Sequence, residues 1–449
     1  MDKRLNFTSN ILIGSMLFGL FFGAGNLIFP VHMGQEAGSN IFPATIGFLI
    51  TAIGLPFLGV VAIGVSRSNG LFDMASRVHP IYGYIMTILL YLTIGPFFAL
   101  PRTGTVSFEI GFAPHIAAEY HALGLACFTI LFFLAALYFS MRPGKILVWV
   151  GKILNPLFLI FLAVLVIAGF SNPMGNVSDA AVNGMYQTVP FFKGFTEGYN
   201  TMDALASLAF GIIVVQAIKD LGVNDPRNIA INTIKSGFIS ILLMGLIYSS
   251  LAYLGATSVS LFEVSENGGI ALAQVANYYF GSFGSILLAI IVTVACLKTA
   301  IGLITACSET FNNMFPNLLN YKAYVLIFTI ISCFVANIGL TQIITLSIPV
   351  LMFLYPLAIA LIVLGLLSPL FKDRQIVYVL TTVCTLFVSV ADALNAMPAI
   401  IKTQVPIQKI LELYNNYLPF FNLGMGWIIP MLIGLSLGCI ISITTKQKL

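Results

Sequence analysis

Two short stretches of the sequence place glycine and hydrogen-bonding residues inside long apolar segments. The first contains Phe22, Gly23, Ala24, Gly25 and Asn26, and the second contains Asp203, Ser207, Phe210 and Gly211. Glycine lowers helix stability, so a helix can unwind at such a point. In lipid, unwound backbone is costly unless its polar groups line a cavity or bind a ligand. Both stretches are therefore candidate binding sites; the alternative is that their small residues only allow close helix packing.

The ends of an interrupted helix have the chemistry to bind a free amino acid. An N-terminus presents unpaired amides and a positive dipole, which favour a carboxylate. A C-terminus presents carbonyl oxygens, which favour an ammonium group or a metal cation. An apolar wall that includes Phe22 and Phe210 would suit a branched aliphatic side chain.

The elements that position these residues are long apolar segments. Hydrophobic residues make up 59% of the 449 residues and charged residues only 8%, whereas soluble domains carry roughly 25% charged residues. The apolar runs are about 20 residues long, the length of a membrane-spanning helix. We predict an all-α membrane protein with twelve spans, at residues 9–32, 41–65, 81–101, 117–140, 147–170, 194–218, 236–257, 282–307, 323–338, 342–367, 376–399 and 421–443.

Lysine and arginine in the loops orient these spans. Of the 20 basic residues, Lys298 falls inside a span, and the loops of one side hold only Arg102, Lys193, Lys402 and Lys409. The remaining basic residues all fall on the other side, which the positive-inside rule identifies as cytoplasmic. We therefore predict a multi-pass protein of the bacterial plasma membrane with both termini in the cytoplasm. This anchoring accounts for the net charge of +4, so no nucleic-acid partner is predicted.

The two stretches occupy corresponding positions in two halves of the chain. The predicted weak points, at Gly23 to Asn26 and at Ser207 to Gly211, lie about 185 residues apart, each near the middle of its span, in helices one and six of the predicted order. With five spans per half, these helices run in opposite directions, as in an inverted repeat with discontinuous helices. We predict a 5+5 repeat, with spans 1–5 in residues 1–170, spans 6–10 in residues 171–367, and two accessory spans in residues 368–449.

Four stretches of the sequence resemble the branched-chain amino acid:cation symporter family, the system II carrier proteins. They are residues 22–30, 91–104, 198–211 and 295–303, which read FGAGNLIFP, YLTIGPFFALPRTG, GYNTMDALASLAFG and ACLKTAIGL. The resemblance implies twelve spans and uptake of leucine, isoleucine and valine coupled to a cation gradient, with no cofactor. The first stretch is also similar, more distantly, to the LeuT-type fold, which implies the 5+5 repeat.

The LeuT-type resemblance also implies roles for individual residues. The amides of Gly23, Ala24 and Gly25 would hold the substrate carboxylate, and Asn26 would support the break or bind an ion. Three residues of the sixth span would face the ammonium group and side chain of the substrate: Ser207, Phe210 and Gly211. The coupling cation would lie among the carbonyls of Gly19 and Phe22 and the eighth-span residues Ala295, Lys298 and Thr299.

Lys298 departs from that pattern, in which sodium is bound by hydroxyl oxygens at two positions of the eighth helix. This chain has Thr299 at one of them and Lys298 at the other. Two positive charges would repel each other by several kcal/mol in a small site of low dielectric constant. We therefore hypothesise that the Lys298 ammonium replaces sodium and that protons drive transport; the alternative is that Lys298 faces another part of the bundle. No firm metal site is predicted.

Other charged residues in or near the spans have less certain roles. Asp203, placed one turn outside the predicted sixth-helix break, is a proton carrier, a partner for a cation or a helix cap. Asp392 is predicted to be a structural residue in contact with water. Arg102 and Glu109 are predicted to lie on a solvated rim at the outer end of the third span; the alternative is that they form a gate.

Three functions compete with branched-chain amino acid transport. An intramembrane enzyme would need an acid–base or nucleophilic cluster, and a channel would need repeated pore loops; the sequence has neither pattern. The closest alternative is a transporter of another neutral amino acid.

Overall fold

Long α-helices make up most of the chain in the computed structural model, which describes residues 6–23, 25–141, 146–223 and 225–444. No strand occurs in these ranges. Seven helices are long and apolar enough to cross a membrane, and a bent pair, Pro190–Thr201 with Asp203–Asp220, qualifies jointly. Four shorter apolar segments accompany them: Ser9–Gly19 and Leu159–Ser171, which are parts of longer helices, and the helices Tyr321–Ala336 and Ile428–Thr444. The predicted all-helical, multi-span class is confirmed.

The first part of the chain, up to Ser171, forms nine α-helices within the described ranges. They are α1 Phe7–Phe21, α2 Gly25–Ala37, α3 Ile41–Leu49, α4 Leu55–Val65, α5 Leu71–Ser76, α6 Pro80–Leu92, α7 Ala99–Gly111, α8 His121–Ser140 and α9 Ile146–Ser171. A π-helical turn joins α3 to α4, and another joins α6 to α7, where the non-helical backbone of Gly95 (φ −89°, ψ −123°) kinks the chain.

The third predicted span extends ten residues beyond its predicted end at residue 101, because α7 continues to Gly111. Its polar residues do not stop the helix, since the hydroxyls of Thr103 and Ser107 donate to carbonyls one turn earlier. Both side chains are buried. This polar face is turned into the protein, so the fall in hydropathy that set the predicted boundary does not mark the membrane surface.

The second part of the chain adds ten α-helices in the described ranges. They are α10 Pro190–Glu197, α11 Asp203–Asp220, α12 Pro226–Ser258, α13 Gly268–Met314, α14 Tyr321–Ala336, α15 Leu340–Phe371, α16 Gln375–Asn395, α17 Ala399–Lys402, α18 Val405–Tyr417 and α19 Ile428–Thr444. Gly281, with a φ of 60°, bends α13 near its start.

The helices pack in groups that surround the two interrupted helices. One group pairs α1 and α2 with α12, α3 with α10, and α4 with α11. Another pairs α7 with α13 and α8 with α14, and the terminal helices α16 and α19 pack on each other beside α15. Residues of α1, α2, α7, α11 and α13 line a shared interior space, so the site lies between the first two groups.

The crossing of α3 and α10 depends on two glycines. A Cβ atom on Gly194 would lie 2.0 Å from the carbonyl oxygen of Ala44, and one on Gly47 would lie 2.0 Å from that of Phe191. We expect Gly194→Ala to destabilise the protein by about 1–3 kcal/mol, because neither backbone can yield without separating the helices. Thermal unfolding of the purified protein in detergent measures this effect.

Gly245→Ala is the matched control, since its new Cβ would meet only the Ile53 side chain at 4.0 Å. That substitution should leave the unfolding temperature unchanged or slightly raised, as alanine favours helix. Equal unfolding temperatures for the two variants would contradict the proposed role of the α3–α10 contact.

Candidate functional site

The first transmembrane helix is interrupted at the predicted position. Helix α1 ends at Phe21, Phe22 adopts an extended conformation with φ −76° and ψ 102°, and α2 begins at Gly25. Ala24, predicted to contribute an amide, lies outside the described residues. The C-terminus of α1 and the N-terminus of α2 therefore meet at one point inside the bundle.

The sixth helix is interrupted earlier than predicted. A 3₁₀ turn, Gly198–Thr201, follows α10, and Met202 then takes a left-handed conformation with φ 61° before α11 begins at Asp203. The two segments are bent by 48°. The prediction of a weak point from Ser207 to Gly211 is wrong, because these residues lie within continuous α11.

The small residues of α11 serve helix packing. A Cβ on Gly59 of α4 would lie 2.0 Å from the Ser207 hydroxyl oxygen, and Gly211 faces Val60 and Ile63 of the same helix. The Ser207 hydroxyl donates to the carbonyl of Ala204 at 2.7 Å. Ser207 and Gly211 therefore allow close helix packing, which was the alternative to a binding role for this second stretch.

Asn26 connects the two breaks. Its Nδ2 donates to Asp203 Oδ2 at 2.5 Å and to the Tyr248 hydroxyl, and its Oδ1 accepts the Gly23 amide at 2.7 Å. Asn26 is buried, so these bonds hold the two interrupted helices together in a place where water cannot replace them. The Gly23 amide, predicted to bind the substrate carboxylate, has Asn26 as its acceptor instead.

Asp203 is the first residue of α11 and lies at the break itself, not one turn outside it. It is buried. A carboxylate in the first turn of a helix interacts favourably with the helix dipole. The same carboxylate faces the space between the breaks, so capping and ligand binding are compatible roles.

A cavity of about 380 Å³ lies between the breaks. Its apolar lining includes Phe21, Ile94, Met202, Phe210 and Leu303. Eight predicted site residues line it: Gly19, Gly23, Gly25, Asn26, Asp203, Phe210, Lys298 and Thr299. A space of this size, mostly apolar with a few polar groups, is typical of a small-molecule site.

Four of the predicted residues are not part of this lining. Besides Ser207 and Gly211, these are Phe22, whose ring stacks on Phe18 with centroids 4.9 Å apart, and Ala295. The Ala295 carbonyl accepts the Thr299 hydroxyl at 3.1 Å. In the described chain, no three His, Cys, Asp or Glu side chains cluster as metal ligands, so the oxygen-bearing residues near a cation here would be Asp203, Thr299 and backbone such as that of Gly19.

Arg102 is the main residue that the sequence analysis missed. It was expected on a solvated rim, but it lies in α7, 3% exposed, and lines the cavity. Its Nη1 donates to the Asn200 carbonyl at 2.8 Å, its Nη2 donates to the Ser347 hydroxyl, and its guanidinium lies 5.3 Å from the Phe29 ring centroid. The sequence feature that could have indicated a site role for Arg102 is its position as a charged residue inside the distinctive stretch 91–104.

Arg102 and Asp203, two of the charged residues that line the cavity, form no ion pair with each other. Within the described ranges the ion pairs are Arg77 with Asp373 and Lys193 with Glu197. Arg102 and Asp203 therefore lack an ion-pair partner. Because an unpaired buried charge is costly, a ligand with one positive and one negative group would complement this site.

A second cavity, of about 430 Å³, adjoins the first. The two share the lining residues Phe210, Ile213, Ala306 and Glu309. The second also includes Asn69 and Asn313, which lie at helix ends on the side that carries most of the loop lysines and arginines. The second cavity therefore lies between the central site and that side of the bundle.

Asp392 also differs from its prediction as a wetted residue. It lies near the end of α16 with 3% exposure, and neither carboxylate oxygen has a hydrogen-bond partner among the described residues. Its burial reflects packing of α16 against α15 and α19. Hydropathy alone placed it near the water because it lies close to the end of its span.

The sequence matches a family profile described as "Branched-chain amino acid transport protein" over residues 6–445. Among curated proteins, a branched-chain amino acid permease BrnQ of Lactobacillus delbrueckii subsp. lactis is 44% identical over 100% of both chains. The BrnQ of Bacillus subtilis is 44% identical over 99% of each. A branched-chain amino acid transport system 2 carrier protein of Pseudomonas aeruginosa is 39% identical over 96% of this chain and 95% of its own.

Two solved structures share the fold at low sequence identity. The structure titled "Inward facing conformation of Mhp1" has a TM-score of 0.61 at 15% identity, covering 99% of this chain and 96% of its own. That of MhsT in complex with L-phenylalanine has a TM-score of 0.56 at 14% identity, covering 99% of both chains. Both are transporters of the LeuT fold, so the predicted resemblance to that fold is confirmed.

Proposed function

Because this chain belongs to the branched-chain amino acid transport protein family, we propose that it imports leucine, isoleucine and valine as a secondary transporter of the plasma membrane. The family membership confirms the predicted family and the prediction of a transporter instead of an enzyme. The observation that best supports this proposal is the mostly apolar cavity between the two helix breaks, which Asp203 lines.

The geometry supports one orientation of the substrate. The ammonium group would face Asp203 and the carbonyl end of the 3₁₀ turn Gly198–Thr201, where negative charge is concentrated. The carboxylate would face the N-terminus of α2 at Gly25, where amides converge. The aliphatic side chain would lie against Phe210 and Leu303.

We further propose twelve spans in a 5+5 inverted repeat with two accessory helices, and both termini in the cytoplasm. Seven long helices, one bent pair and four shorter apolar segments support this number. The charge bias of the loops supports the orientation, and it becomes stronger now that Arg102 lies within a helix. The two breaks, in α1–α2 and α10–α11, support the repeat.

Labelled leucine uptake into proteoliposomes tests the function directly. We expect accumulation under an imposed proton gradient and none under a sodium gradient alone. Unlabelled isoleucine and valine should compete, whereas competition mainly by other neutral amino acids would favour the alternative substrate class. Absence of leucine uptake under either gradient would refute the proposal.

Lys298 is the proposed reason for independence from sodium. Lys298 and Thr299 both line the cavity, and a Cβ on Gly23 would lie 3.4 Å from Thr299 Cγ2, so this part of α13 faces the first break. We expect Lys298→Met to reduce proton-driven accumulation at least tenfold, because the charge that replaces sodium is lost, and Thr299→Val to retain it. Sodium-driven uptake in the wild type that requires the Thr299 hydroxyl would disprove the hypothesis.

A further inference from the structure

Arg102 is a buried cation without an anion. Its side chain lies inside the bundle, next to the proposed substrate. Glu197, which precedes the 3₁₀ turn that Arg102 contacts, forms its own ion pair with Lys193 at 2.7 Å. A buried charge satisfied only by neutral groups is costly, so its retention at a cavity wall indicates a ligand that supplies the missing charge.

The guanidinium has hydrogen-bonding capacity to spare. Arginine carries five N–H donors in a planar fork. Nη1 donates to Asn200 and Nη2 to Ser347, while Nε has no hydrogen-bond partner among the described residues. Because Nε is buried, the N–H groups left for a ligand are the second ones on Nη1 and Nη2, and two N–H groups of a guanidinium can bind a carboxylate through parallel hydrogen bonds.

The position of Asp203 gives the two charges the arrangement of a zwitterion site. Both Arg102 and Asp203 line the cavity, yet they form no ion pair with each other. An α-amino acid has its ammonium and carboxylate on one carbon, so it could bridge two such groups. The N-terminus of α2 would then assist, since the Gly23 amide has Asn26 as its acceptor.

We propose that Arg102 binds the α-carboxylate of the substrate and is the residue that makes a carboxylate obligatory. This inference rests on the proposed amino-acid transport and adds a specificity residue to it. Leucine should bind, whereas L-leucinamide, which keeps the ammonium and the side chain but lacks the carboxylate, should be rejected. A site that binds the substrate carboxylate rejects an analogue without a carboxylate, because the buried arginine would then be left unpaired.

The competing explanation is a purely structural role. Arg102 connects α7 with the outer part of the sixth helix through Asn200 and with α15 through Ser347. Loss of that connection would impair transport of any substrate. A binding role and a structural role differ in their effect on ligand selectivity. A residue that only connects helices does not determine which ligand is preferred.

The test compares leucine and L-leucinamide binding to purified protein in detergent, through the rise in unfolding temperature as each ligand is added. We expect the wild type to prefer leucine at least 100-fold. Arg102→Gln should weaken leucine binding about 100-fold with little change for leucinamide, so the preference nearly disappears. Arg102→Lys, which keeps the charge, should retain an intermediate preference and provides a readout if the glutamine variant does not fold.

Arg67→Gln is the matched control, since it makes the same substitution at an exposed arginine that does not line the cavity. Its preference for leucine should equal that of the wild type. A glutamine or lysine variant of Arg102 with the full wild-type preference, or an equal loss of preference in Arg67→Gln, would overturn the role of Arg102 while leaving the transport proposal intact. A wild type that binds none of leucine, isoleucine and valine would overturn both.

Discussion

Asp203→Asn should reduce leucine uptake by about 100-fold or more, because a buried charge pair with the substrate ammonium is worth roughly 2–5 kcal/mol. The substitution nearly conserves side-chain volume, and the carboxylate it removes faces the cavity. It also places an amide against the Asn26 Nδ2 donor, which now bonds Asp203 Oδ2 at 2.5 Å. Initial rates of labelled leucine uptake, normalised to the amount of protein in the membrane, measure the effect.

Asp220→Asn is the control for this prediction. Asp220 is the last residue of the same helix, α11, and is exposed, so its substitution should leave uptake near the wild-type rate. If Asp203→Asn transports leucine normally, the ammonium has another partner and the proposed orientation of the substrate is wrong.

Asn26→Ala should lower uptake by about 100-fold as well, for a different reason. The substitution removes three hydrogen bonds at once, to Gly23, Asp203 and Tyr248, and each buried group left without a partner costs roughly 1–3 kcal/mol. The break in the first helix and the position of the Asp203 carboxylate both depend on these bonds. Leucine binding and uptake should therefore fall together.

The matched control is Asn415→Ala, at an exposed asparagine of α18, which should retain full uptake. Membrane insertion and the unfolding temperature of Asn26→Ala separate a defect in the site from loss of the protein. An Asn26→Ala protein that is stable and transports at the wild-type rate would show that Asn26 does not organise the site.

The two breaks show how far local sequence predicts this site. The first coincides with Gly23 and Gly25 in an apolar run, where intrinsic helix propensity is low, and it lies where expected. The second occurs at Met202, a residue that rarely adopts positive φ. Its surroundings stabilise it: Arg102 binds the preceding Asn200 carbonyl, and Tyr199 stacks on Tyr355 with centroids 4.1 Å apart. Those partners come from α7 and α15, which are distant in sequence, so the local helix propensity around Met202 does not reflect them.

By itself, the sequence determined the helical membrane class, the family and the first break, because hydropathy, motif and backbone propensity act within one segment. Only the tertiary structure decided which polar residues are buried together. Arg102 comes directly after its predicted span, and Asp392 lies near the outer end of its own. Both were therefore expected in contact with water, yet helix packing buries both. Ser207 and Gly211 face α4, whereas Asp203 faces the cavity. Which face of a helix meets a cavity and which meets a neighbour depends on contacts between distant segments, and so it followed only from the packed fold.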